Sequence, residues 1–118
     1  MGYATSATGD RGIVSKRSYK VLLQAQVVPA VIVDGVPTSW KRVVAIGHVT
    51  ETVREIVGLS ESGAEIVAKT YPDTLTLSGG ANPVATFSRE TSVSKDGDST
   101  MWTVSVHERS MSVTEGVG

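Results

Sequence analysis

Cysteine is absent from the 118 residues, which excludes disulfide staples and thiol chemistry without fixing a compartment. Aromatics are scarce, with two tryptophans, three tyrosines and one phenylalanine, whereas a groove for single-stranded nucleic acid stacks bases on several exposed rings beside basic side chains. A surplus of positive charge is also missing: eleven basic against twelve acidic residues give a net charge of -1, which argues against a large nonspecific polyanion footprint. The longest uncharged apolar run, Val21 to Val33, is short and is interrupted by Gln24, Gln26 and Pro29, so no transmembrane helix is expected. The first twenty residues carry Arg11, Lys16, Arg17 and Lys20 but no apolar stretch of the kind that a secretory signal uses.

Leucine, with five residues, is outnumbered by nineteen valines and thirteen threonines. β-Branched side chains lose rotamer freedom in a helix and fit a pleated surface, so the chain reads as all-β. One domain is expected at this length, burying roughly two-thirds of the surface that the unfolded chain exposes. Residues 1–18 are rich in Gly, Ser, Thr and Ala without apolar periodicity and read as a flexible arm. Residues 19–113 read as a small β-sandwich or partly closed β-barrel, and residues 114–118 as a tail.

The organising stretch is a hairpin. Asp34-Gly35 lies between two β-rich runs, and both residues tolerate the positive φ that a two-residue turn demands. Before it, Tyr19, Val21, Leu23, Ala25 and Val27 alternate with Lys20, Leu22, Gln24, Gln26 and Val28, a half-buried pattern, and Pro29 marks an edge or a bulge. After it, Trp40, Arg42, Val44 and Ile46 alternate with Lys41, Val43 and Ala45, which suits a central strand. Val49 to Val57 fits helix or strand, with the valines favouring strand. Gly58 to Gly63 reads as a polar loop, Ala64 to Tyr71 as a strand, Thr74 to Leu77 as a short strand and Ser78 to Pro83 as a turn. Val84 to Val93 and Met101 to Val113 flank a polar Gly-containing connection and form a second hairpin. Seven or eight strands are expected in all, with Trp40 and Trp102 as core anchors.

Catalytic and metal motifs are weak. Gly58-Leu59-Ser60-Glu61-Ser62 has Ser62 where a nucleophile elbow needs glycine. Asp96, Asp98 and Thr100 alternate like the start of a calcium loop, but Met101 replaces the turn glycine and His107 the closing glutamate. His48 and His107 are the only histidines, and neither has a nucleophile or a ligand set at a telling spacing. Neither an enzyme nor a cofactor is expected.

Asp34-Gly35 followed by Trp40, the run VVAIGHVTETVREIVGLSESGAEIVAKTY and the closing KDGDSTMWTVSV resemble the small β-barrel or β-sandwich virion proteins of tailed bacteriophages. Two groups share the likeness: head-completion or stopper proteins, and tail-tube proteins. The chain is shorter than the tube family and lacks its closing helix, and it carries a basic arm that the stopper family does not. The resemblance implies a non-enzymatic subunit of a virion ring whose partners are copies of itself and neighbouring virion proteins, with passing contact to DNA in a channel and no membrane. Under it, Arg11, Lys16, Arg17, Ser60, Glu61, Ser62, Glu108 and Arg109 are expected at contacts between subunits. A capsid decoration protein and a nucleic-acid-binding module of OB type are the alternatives.

Overall fold

The computed structural model describes residues 9–78 and 84–117. Five strands and one helix follow in the order β1 (Asp10–Val33), β2 (Val36–Leu59), α1 (Glu61–Thr70), β3 (Thr74–Leu77), β4 (Ala85–Lys95) and β5 (Trp102–Val117). The strands join in one sheet of order β1-β2-β5-β4-β3. The chain divides into two compact units, Met1–Arg17 with Thr50–Ser110, and Ser18–Val49 with Met111–Gly118. Strands β1, β2 and β5 contribute residues to both.

The all-β expectation holds, but the sheet is single and open, with β1 and β3 as its edges, and is neither a sandwich nor a barrel. Five strands replace the seven or eight expected because β1 and β2 run for 24 residues each. Pro29 does not divide β1. β1 is an edge strand, where proline is tolerated more readily than in a central one. Val49 to Val57 lies within β2 as a strand, and Thr74 to Leu77 is a short strand as read. β1 begins at Asp10, ahead of Tyr19, and β5 runs on to Val117, so Arg11, Lys16, Arg17, Glu108 and Arg109 are strand residues. Residues 1–8 of the expected arm and residues 79–83 of the expected turn lie outside the described residues.

In the first unit, Ile56, Leu59, Ala64, Val67, Val104 and Val106 form the buried core, with Ala68, Tyr71 and Trp102 packed against it. Full burial of each Val, Leu or Ile there stabilises by about 1.5–3 kcal/mol. Ile56 and Leu59 both reach this core although strict alternation would put residues three apart on opposite faces. Gly58, at φ 73, supplies the left-handed kink between them.

Ala64 to Tyr71, expected as a strand, is instead largely helix α1, and Gly58 to Gly63 is not a loop throughout, since Leu59 ends β2 and Glu61 starts α1. Ser60 is the N-cap: its side chain accepts a hydrogen bond from the Gly63 N–H at 3.0 Å, while Glu61 in the first turn and Lys69 in the last suit the helix dipole. The spacing Ala64, Val67, Ala68, Tyr71 is i, i+3, i+4, i+7, and all four meet the core. Ser60→Ala should cost about 1 kcal/mol in chemical denaturation, with no change in the denaturant dependence.

Strands β4 and β5 pair antiparallel from Phe87↔Ser110 to Lys95↔Trp102, confirming the second hairpin. Its connection is a polar turn: the Asp96 carboxylate accepts from Thr103 Oγ1 at 2.9 and 3.0 Å, and Asp96 N–H donates to the Met101 carbonyl at 2.9 Å. Tyr71 and Asp73, between α1 and β3, are tied to β4 at Thr91, whose hydroxyl donates to the Tyr71 carbonyl and whose N–H donates to Asp73.

In the second unit the Asp34-Gly35 turn is as read, with φ 50 and 79 at its two residues. Ala45, Gly47, Val49 and Met111 are buried. Trp40 is not a core anchor: it is 59% exposed. The buried positions alternate as Ala45, Gly47 and Val49. Val36 to Arg42 are all exposed, so no second layer among the described residues covers this part of β2.

Candidate interaction surface

Each unit offers one notable surface. In the first, strand alternation puts Thr103, Ser105, His107 and Arg109 on the face of β5 opposite Val104 and Val106, and the register sets Glu90 and Ser88 beside His107 and Arg109. Ser15, Arg17, Glu51 and Val53 continue this open groove. Its charges are matched: Glu51 receives Arg17 at 2.9 Å and Arg109 at 3.7 Å. Arg11 lies 3.7 Å from Glu55, Arg54 3.2 Å from Asp10, and Arg89 donates from Nε to Glu108 at 2.8 Å.

The residues expected at subunit contacts therefore divide by partner. Arg11, Arg17, Glu108 and Arg109 are held in ion pairs of the first unit, and Lys16 is an exposed residue of β1. Ser60, Glu61 and Ser62 form the start of α1, where Ser60 caps the helix and its Oγ lies 3.4 Å from Ser62 Oγ. His48 Nε2 is 3.1 Å from Thr114 Oγ1, and His107 stands opposite Glu90. Among the described residues no group of three or more His, Cys, Asp or Glu could hold a metal ion.

The second unit presents a surface of a different kind. Leu22, Leu23, Val27, Val31, Ile32, Val33, Val36 and Trp40 are exposed large apolar residues of the β1–β2 ribbon. Ile32, at 60%, and Val33, at 53%, are adjacent in β1 and so point to opposite faces, and both faces of the ribbon there are apolar. About half exposed on average, these side chains present roughly 500 Å² of apolar surface, taking ~100 Å² per full aliphatic group and ~200 Å² for tryptophan. A stable interface buries about 800 Å² per partner, of which about 56–65% is apolar, or some ~450–520 Å². That area is divided between the two faces, so either face alone offers about half the apolar area of a standard interface. The sequence pattern showed apolar groups on both faces of these strands but not that no second layer among the described residues covers them.

No known protein family, curated protein or solved structure matches the chain.

Proposed function

We propose that this chain is a structural subunit of an assembly, joined to further copies through the ribbon of residues 18–49. The single observation that carries the reading is the apolar surface on both faces of that ribbon. Around the Asp34-Gly35 turn the two strands have no covering layer among the described residues and are marginal alone in water, and burying them against another subunit recovers the hydrophobic free energy they forgo as a monomer. The resemblance to tailed-phage virion proteins extends the proposal to a ring at the head–tail connection or in the tail tube. On that reading the matched ion pairs of the first unit set the shape of the subunit, and the ribbon supplies the contact.

Sedimentation velocity over a wide concentration range tests this directly. The chain should sediment as an oligomer at high concentration and dissociate on dilution. Ile32→Lys should leave unfolding stability within about 0.5 kcal/mol, as for exposed positions, yet weaken association about tenfold or more, the equivalent of leaving one aliphatic side chain unburied. A monomer at every concentration overturns the proposal.

Contact with nucleic acid has one observation in its favour: exposed Trp40 is followed by exposed Lys41 and Arg42. A lone stacking platform supports weak, salt-sensitive contact with a strand. Tryptophan fluorescence during titration with single-stranded DNA at several salt concentrations separates the two readings.

A further inference from the structure

Within the exposed ribbon, the order of residues along β1 says how two copies meet. β1 is the terminal strand of the sheet, so one side of its backbone faces no other strand among the described residues. Such an edge is a template for another strand. Leu22-Leu23-Gln24-Ala25-Gln26-Val27-Val28 reads the same in hydropathy from either end: two aliphatics, glutamine, alanine, glutamine, two aliphatics. Gln24 and Gln26 are the only glutamines in the chain, and they are placed symmetrically about Ala25. A two-fold contact requires this kind of order, because every residue i that meets j must also be met by i from j.

We infer that two copies pair antiparallel along the edge of β1, with the two-fold axis at Ala25. This rests on the assembly reading and specifies its partner, a second copy, and its register. In that register Leu23 faces the second copy's Val27, Leu22 faces its Val28, Gln24 faces its Gln26, and Ala25 faces Ala25. One face is then wholly aliphatic, and on the other the glutamine amides, each both donor and acceptor, meet one another. A shift of one residue sets Gln26 against Leu23 and leaves the amides opposite apolar side chains.

The ends of the stretch agree with this register. Lys20 faces Ala30, and the two copies of Lys20 stand roughly 33 Å apart at ~3.3 Å per residue, well beyond electrostatic reach in physiological salt. Pro29, which has no N–H to give, closes the paired stretch opposite Val21. A two-fold pair closes on itself, so a larger ring needs a second contact, and Val33, Val36 and Trp40 remain uncovered for it.

The absence of cysteine makes the test clean. Ala25→Cys places one thiol on the axis, where paired strands bring the two Cα atoms to about 4.5–5.5 Å, within the range that a disulfide spans. Under mild oxidation Ala25→Cys should cross-link at least tenfold faster than Val33→Cys at equal concentration. The double variant Leu23→Lys/Val27→Lys sets lysine against lysine and should sediment as a species lacking this contact, whereas Leu23→Lys/Val27→Glu sets opposite charges together and should restore it. If the wild-type chain is oligomeric yet Ala25→Cys cross-links no faster than Val33→Cys, or the two double variants sediment alike, the register is wrong and the assembly reading survives. If the wild-type chain is monomeric throughout, both fall.

Discussion

Leu59→Ala is expected to lower the unfolding free energy by about 2–5 kcal/mol, enough to remove much of the stability of a domain this size. Leu59 is only 2% exposed and belongs to the cluster that includes Ile56, Ala64, Val67, Val104 and Val106. Shortening it leaves a cavity between the end of β2 and α1, and the cap at Ser60, next in sequence, limits how far the helix can move to fill it. Urea denaturation followed by circular dichroism checks the effect. A loss below about 1 kcal/mol means that the α1 layer is not packed on the sheet in this way.

Gly9→Ala is the second large effect. Gly9 has φ 66, a region that costs a residue with a side chain about 1–3 kcal/mol, and an added Cβ would also collide with the Val57 carbonyl oxygen. The Gly9 carbonyl accepts the Val57 N–H at 3.1 Å, and Arg54 binds Asp10 just beyond it. Forcing the two backbones apart should therefore release the start of β1. Expected outcomes are a fall in thermal midpoint and faster hydrogen exchange at Asp10 to Ile13, with Val104 to Val106 keeping their protection. If the midpoint is unchanged, Gly9 is not held against Val57.

How far residues alone carry the fold depends on what each pattern encodes. Valine and threonine enrichment gave the β class, Asp34-Gly35 the first hairpin, and the polar connection after Val93 the second, because these are local preferences of the backbone and need no tertiary knowledge. Helix α1 was legible in the spacing of Ala64, Val67, Ala68 and Tyr71, yet that run also contains the β-branched Ile66 and Val67, which pull the reading towards strand. Ile66, at 58% exposed, contributes nothing to the core that would justify a strand. Trp40 failed for a different reason. Alternation says which side chains share a face but not whether another layer covers that face, and among Val36 to Arg42 none does. The same blindness hid the ribbon, whose two apolar faces look like a buried strand until the structure shows them open.

Of the residues that the resemblance implies at subunit contacts, Arg11, Arg17, Glu108 and Arg109 have ion-pair partners within the first unit, while the ribbon reads from sequence as a half-buried strand beside a central one. Charged side chains find partners in their own subunit when the strands place opposite signs across a pair, as at Arg17 and Glu51. Large aliphatic groups that the fold cannot cover leave a surface that another molecule can, and the mirror order about Ala25 was present in the sequence throughout.

Hydrogen exchange read by mass spectrometry at low and high protein concentration addresses the central claim most directly, because it reports on the β1 edge itself. The account predicts that peptides spanning Leu22 to Val28 gain protection as concentration rises, while those spanning Val104 to Val106 exchange at the same slow rate throughout. Equal exchange of Leu22 to Val28 at both concentrations would contradict it.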